Sequence, residues 1–111
     1  MTSPFVIERD GRGVRVGPED LASFAAWAAQ HEGEAIVARS TGGDLRVCTD
    51  FLSVDLDVGR EYGKRDPLCY ETMVFAPRGR PLDRLTRRYR SRADAASGHA
   101  AVVAELLGAR P

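Results

Sequence analysis

The chain has 111 residues and a mass of 12.1 kDa, the size of one domain, because chains usually divide only beyond roughly 250 residues. Its 43% hydrophobic and 29% charged residues argue against a disordered chain. The longest uncharged apolar run, residues 21–29, is too short to cross a bilayer, and no signal-peptide pattern opens the sequence. We therefore expect a cytoplasmic protein that does not contact a membrane.

The sixteen basic and sixteen acidic residues cancel, so net charge gives no indication of a nucleic-acid or membrane partner. Their distribution is uneven, because residues 1–57 hold five basic and ten acidic residues, whereas residues 58–111 hold eleven and six. Two interpretations remain open. The halves fold against each other and neutralise locally, or the second half presents a basic face to a partner.

Two elements are predicted in the first part of the chain. A hairpin is expected where apolar runs at 5–8 and 14–16 flank a glycine-containing turn. A helix is expected over 18–31, since this stretch opens with a proline and two acidic residues and continues with apolar residues at helical spacing. Gly33 is a suitable terminator for this helix.

The middle of the chain predicts strands. Residues 34–39 form the first, and a glycine pair turns the chain into the long stretch 44–58. Apolar alternation changes phase near Phe51, as a bulge would produce, so one bent strand or two strands both fit. Residues 59–66 are charged and contain two glycines, which predicts a loop.

The last part of the chain predicts a central strand, a short ambiguous segment and a second helix. Residues 68–76 are apolar on both strand parities, as in a central strand. Residues 82–90 fit either an edge strand or a helix, and we favour the strand. Ser91 and Asp94 form a capping box that opens a helix, and Gly108 closes it.

Strands clustered between two helices, with hairpin-length turns, predict a single α+β domain over residues 1–111. We expect an antiparallel β-sheet of about four to six strands with two helices packed on one face. Cys48 and Cys69 lie in apolar strand-like stretches, so we expect two reduced core cysteines rather than a metal cluster or a disulfide framework.

Three polar residues are candidates for catalysis or metal binding. Glu71 shares a strand parity with apolar residues, so it is either ion-paired to an arginine of a neighbouring strand or functional. His99 lies on the apolar stripe of the second helix and is either a satisfied core residue or functional. Together with Asp55, they would suit a divalent metal or acid–base chemistry if they converged. No established catalytic motif occurs, and no cofactor is expected.

Residues 78–92 contain seven arginines and one acid, Asp83. As an edge strand, this segment would place Arg84, Arg87, Arg88 and Arg90 where they could bind nucleic acid or an acidic partner. The alternative is that these charges keep a sheet edge in solution and protect it from pairing with another strand.

Three segments of the chain carry a wider pattern: VCTDFLSVDL at 47–56, PLCYETMVF at 67–75 and RYRSRADAASGH at 88–99. Together they resemble small uncharacterised proteins encoded by actinobacterial phages and prophages. The pattern of that group looks like three elements in order. The first is a strand ending in Leu-Asp-His, and the second is a strand with the sequence Phe-Glu-Thr-Met-Val-Phe. The third is an Arg-Tyr-Ser-Thr segment that leads into a helix containing Gly-His. The resemblance covers residues 47–103, and the first 46 residues lie outside it.

The resemblance implies that Asp55, Glu71 and His99 are shared polar positions, and it supports the strand choice for the arginine-rich segment. It implies no activity. The chain departs from the pattern at Leu56, where the pattern has histidine, and at Ser53, where glycine is usual. The missing histidine weakens any metal or acid–base site.

The leading interpretation is a non-enzymatic accessory protein of phage or prophage type that binds a protein partner through its sheet edge or a helix face. One alternative is a metal-dependent or acid–base enzyme that uses Asp55, Glu71 and His99. Another is nucleic-acid binding through residues 84–92. Monomer and homodimer both remain open.

Overall fold

The computed structural model describes residues 5–57 and 65–108, and these fold as six strands and two α-helices. The strands are β1 (Val6–Arg9), β2 (Arg12–Arg15), β3 (Ile36–Gly42), β4 (Leu45–Phe51), β5 (Tyr70–Phe75) and β6 (Arg87–Tyr89). The helices are α1 (Leu21–Gln30) and α2 (Arg92–Leu106), and short 3-10 turns occupy Pro18–Asp20, Pro77–Gly79 and Asp83–Leu85. The predicted α+β class is confirmed.

The strands form two antiparallel sheets. The predicted hairpin is present as the pair β1–β2, and the other four strands form a sheet in the order β3-β4-β5-β6. In the centre of that sheet, Val47 lies opposite Val74 and Thr49 lies opposite Thr72. Because neighbours in sequence are neighbours in the sheet, this sheet is a meander.

Helix α2 crosses one face of the four-stranded sheet, which we call the covered face. Two clusters of buried side chains lie there. One comprises Val47, Val74 and Val102, and the other comprises Val6, Phe51, Cys69, Tyr70 and Ala95. Trp27 of α1 packs against the second cluster, with its ring centroid 6.0 Å from that of Phe51.

Helix α2 begins and ends where the sequence predicts. The Ser91 hydroxyl accepts a hydrogen bond from the Asp94 backbone N–H at 3.1 Å, which satisfies one of the free donors of the first turn. Gly108 follows the helix with φ of 70°. Helix α1, in contrast, contains no buried residue, and its Leu21 side chain is 45% exposed.

Two of the expected segments differ in the structure. β4 ends at Phe51 and Ser53 takes a left-handed φ of 47°, so the phase change marks the end of a strand rather than a bulge. The bulge of this sheet lies between Ile36 and Ala38. In 82–90 the strand interpretation is wrong for Asp83–Leu85, a 3-10 turn, and right for β6. The loop expected at 59–66 lies largely outside the described residues.

Cys48 and Cys69 are both free and buried, as predicted. Burial raises the pKa of the Cys69 thiol to about 12, so this group stays protonated near neutral pH. No helix of the described ranges has the length and apolar character needed to cross a membrane.

Candidate functional site

Asp55 lies beyond the end of β4 and is only 4% exposed. One carboxylate oxygen accepts a hydrogen bond from Arg15 at 2.7 Å, and the other accepts the backbone N–H groups of Asp57 and Leu68. Because these partners come from β2 and from the segment before β5, the carboxylate ties three parts of the chain together. We assign Asp55 a structural role.

Glu71 and His99 occupy opposite faces of the sheet. Glu71 lies on the face turned away from α2, where its carboxylate accepts a hydrogen bond from the Arg88 guanidinium of the neighbouring β6 at 3.0 Å. His99 belongs to α2 and is 6% exposed against the covered face. Asp55 pairs elsewhere, so the three candidate residues do not form one site. Among the described residues, no cluster of three or more histidine, cysteine or acidic side chains is arranged to hold a metal ion.

A chain of hydrogen bonds runs across the covered face and joins all four strands to α2. The Tyr89 hydroxyl donates to Thr72 Oγ1 at 3.1 Å, and the hydroxyls of Thr72 and Thr49 lie 2.6 Å apart. His99 Nδ1 lies 2.7 Å from Thr49 Oγ1, and His99 Nε2 lies 2.9 Å from Ser40 Oγ. Both ring nitrogens therefore have a hydroxyl partner, as buried polar groups require.

Ser40, His99 and Thr49 have the connectivity of a nucleophile, a base and an orienting group. The orienting group is a neutral hydroxyl, which does not offset the charge of an imidazolium as a carboxylate does. Burial, and after it the positive charge of Arg39, lowers the pKa of His99 below its usual value of 6.5. The ring is thus held neutral as a core element and is a weak base.

The four arginines expected to form a binding surface do not act alike. Arg84 and Arg87 are exposed. Arg88 binds Glu71, and Arg90 binds the Asp57 carboxylate at 3.1 Å. Half of the predicted cationic set is therefore neutralised within the molecule.

Glu8 of β1 joins the hairpin to the rest of the domain. It accepts two hydrogen bonds from Arg92 at 2.8 and 3.1 Å, and one from the Tyr70 hydroxyl. Burial alone would raise the pKa of Glu8, but these hydrogen bonds outweigh it and the net shift is downward. The Glu8–Arg92 and Asp57–Arg90 pairs connect the acidic and basic halves of the sequence, as local neutralisation requires.

The face of the four-stranded sheet turned away from α2 is here called the open face, because no helix within 5–57 and 65–108 packs over it. Its side chains come from alternate positions of the four strands. They are Ile36, Arg39, Thr41, Arg46, Cys48, Asp50, Glu71, Met73, Phe75 and Arg88.

Two carboxylates and two arginines form a row of ion pairs across the open face. Asp50 and Glu71 lie directly opposite each other on β4 and β5. Each binds an arginine of an outer strand, since Arg39 reaches Asp50 at 2.6 Å and Arg88 reaches Glu71 at 3.0 Å. Beside this row, Met73 and Phe75 are half-buried and Arg46 lies over the Phe75 ring at 5.5 Å.

Sequence reasoning missed the hydroxyl partners of His99. A signal was present, because Thr49 and Thr72 occupy the same strand parity as the core valines of β4 and β5. A hydroxyl at such a position needs a partner inside the core. Naming that partner required the strand register.

No family model, curated protein or solved structure matches the chain.

Proposed function

We propose that the protein is a small accessory protein of phage or prophage type that acts in the cytoplasm of an actinobacterial host by binding another protein. The binding surface is the open face of the four-stranded sheet. One observation carries the proposal: this face presents half-buried Met73 and Phe75 beside exposed arginines, with no helix of the described residues over it.

The composition of the open face suits a protein partner. Aromatic residues, methionine and arginine are enriched in protein interfaces, and charged residues concentrate at their rims. Here Met73 and Phe75 form the apolar part, and the paired charges of Arg39 and Asp50 lie beside it. A partner that covers the apolar part would leave those charges at the rim.

Charge argues against nucleic acid at this face. Phosphate binding depends on cations whose charge is not already neutralised. Arg39 and Arg88 each hold a carboxylate of the neighbouring strand, so the row carries no net charge. Catalysis by Asp55, Glu71 and His99 together is unsupported, because each is held by different partners in a different place.

Affinity capture with matched variants tests this proposal. The immobilised chain is incubated with an actinobacterial lysate, beside the open-face variants Met73→Glu and Arg46→Glu and the control Ala101→Glu. Arg46 and Ala101 are both exposed, so these two variants keep the fold and differ in the face they alter. We expect one protein to be retained by the wild type and the control, and retained roughly tenfold less by both open-face variants.

Three results would overturn the proposal. The first is that no protein is specifically retained while the chain stays monomeric. The second is equal retention by the open-face variants and the wild type. The third is retention of nucleic acid alone, with binding that weakens steeply as salt is added.

A further inference from the structure

A cavity of about 150 Å³ lies at the carboxyl end of α1, away from the open face. The aromatic and ionisable side chains that line it are Glu8, Trp27, His31, Glu32, Glu34 and Phe51. A cavity of this volume is about the size that holds benzene. It therefore has room for one planar group of that size.

Aromatic rings form one corner of the cavity. The rings of Trp27 and Phe51 meet at 74°, with centroids 6.0 Å apart, and the His31 ring stacks on Trp27 at 4.5 Å. The His31 ring is fixed by a hydrogen bond between its Nδ1 and the Trp27 carbonyl at 2.8 Å. Aromatic rings attract cations through their negative faces, and His31 already covers one face of Trp27 while Phe51 is only 4% exposed.

Three carboxylates lie along the remaining wall, among small uncharged residues. Glu32 and Glu34 are exposed at the rim, and Glu8 closes the inner side. Arg92 balances the charge of Glu8 and also donates to the Glu34 backbone carbonyl, and the Glu34 carboxylate lies 4.0 Å from His31 Nε2. With one arginine against the carboxylates of Glu8, Glu32 and Glu34, the wall keeps an excess of negative charge. The end of α1 adds to this field, because the carboxyl end of a helix carries a partial negative charge.

We propose that this cavity binds the guanidinium group of an arginine side chain presented by another protein. A guanidinium is planar, stacks on aromatic rings and is weakly hydrated, whereas an ammonium is compact and strongly hydrated. The acidic rim repels anions and gives a neutral group no electrostatic advantage. This site lies on the α1 side of the molecule, so the inference does not depend on the open face.

Trp27 is the one tryptophan of the sequence, so its fluorescence reports on this cavity. The purified chain is titrated with N-acetylarginine amide at constant ionic strength, and separately with N-acetylcitrulline amide, its uncharged counterpart of nearly the same shape. N-acetyllysine amide provides the ammonium comparison. We expect a saturable change with the arginine probe, a weaker one with lysine and none with citrulline.

Matched variants connect the binding to the rim. Glu32→Gln with Glu34→Gln removes two rim charges, while Asp44→Asn with Glu105→Gln removes two exposed charges elsewhere. We expect the first pair to weaken binding of the arginine probe roughly fivefold and the second to leave it unchanged. Equal binding of the arginine and citrulline probes, equal or tighter binding of lysine, no saturable signal, or an equal effect of both variant pairs would overturn the proposal.

Discussion

The two faces of the four-stranded sheet satisfy their polar groups in different ways. On the covered face, hydroxyls and one imidazole bind each other beneath α2, and no member of the network carries a charge while His99 is neutral. On the open face, the polar groups are ion pairs with partly exposed side chains. Thr49 and Asp50 are adjacent in β4 and belong to different faces.

This contrast separates the face of the sheet that determines the fold from the face that we propose binds a partner. A fully satisfied buried network fixes the strand register and the position of the helix, because each lost hydrogen bond leaves a costly unpaired group. Partly exposed ion pairs contribute little to stability. The covered face therefore specifies the fold, whereas the ion pairs of the open face contribute little to it.

The largest expected effect comes from removing the centre of the covered network. His99→Ala leaves a cavity and deprives Thr49 and Ser40 of a partner, so we expect a loss of about 3 kcal/mol in the free energy of unfolding. Urea denaturation measures this loss. A change below about 1 kcal/mol would show that the network does not stabilise the fold.

Gly98 tests how closely α2 approaches the sheet. A methyl group at this position would overlap the Tyr89 ring, whose hydroxyl is bound to Thr72. We expect Gly98→Ala to destabilise by about 2 kcal/mol, despite the better helix propensity of alanine. The control Ser97→Ala changes an exposed residue of the same helix. A stabilising effect of Gly98→Ala would contradict the close approach of α2 to Tyr89.

Acid should weaken the covered face through His99. The pKa of His99 is lowered by burial and then by Arg39, so the unfolded state binds a proton at a higher pH than the folded state does. We expect the contribution of neutral His99 to the free energy of unfolding to be fully present above pH 6.5 and to decrease as the pH drops below that value. Thermal unfolding between pH 7.5 and 5.5 measures this decline.

His99→Gln should remove this pH dependence, whereas His31→Gln, which changes the other histidine of the chain, should keep it. An unchanged pH profile in His99→Gln would contradict the assignment of the decline to the covered network.

The smallest effect is expected on the open face. Glu71→Gln removes the charge partner of Arg88; the Arg88 side chain is 47% exposed and the Glu71 side chain is 12% exposed. We expect a loss of less than about 1 kcal/mol, because partly exposed pairs contribute little. Urea denaturation in the same series measures this loss. A loss as large as that of His99→Ala would contradict the distinction between the two faces.

Local signals predicted the elements that local contacts determine. The cap of α2 depends on Ser91 and Asp94, three residues apart, so the sequence was sufficient to place it. The turn Asp83–Leu85 was missed because Leu82 and Leu85 pack against the cluster that includes Val47 of β4 and Val102 of α2, which are distant in sequence. Tertiary contacts decide such segments, not propensity.

The candidate residues also differ in whether the sequence or only the tertiary structure identifies their partners. An arginine partner for Glu71 could be anticipated as one of two alternatives, because paired strands bring such side chains together. The partner of Asp55 could not, since Arg15 is separated from it by 40 positions and belongs to the other sheet. The hydroxyls around His99 also required the register of β3, β4 and β5.

Site-specific photocrosslinking tests the protein-binding role of the open face most directly. A benzophenone amino acid replaces Arg46 on the open face in one sample and Ala101 on the outer side of α2 in another, and each is irradiated in an actinobacterial lysate. We predict that position 46 forms an adduct with one protein and that position 101 forms none. Equal adducts from both positions, an adduct with the chain itself alone, or no adduct at position 46 would contradict the account.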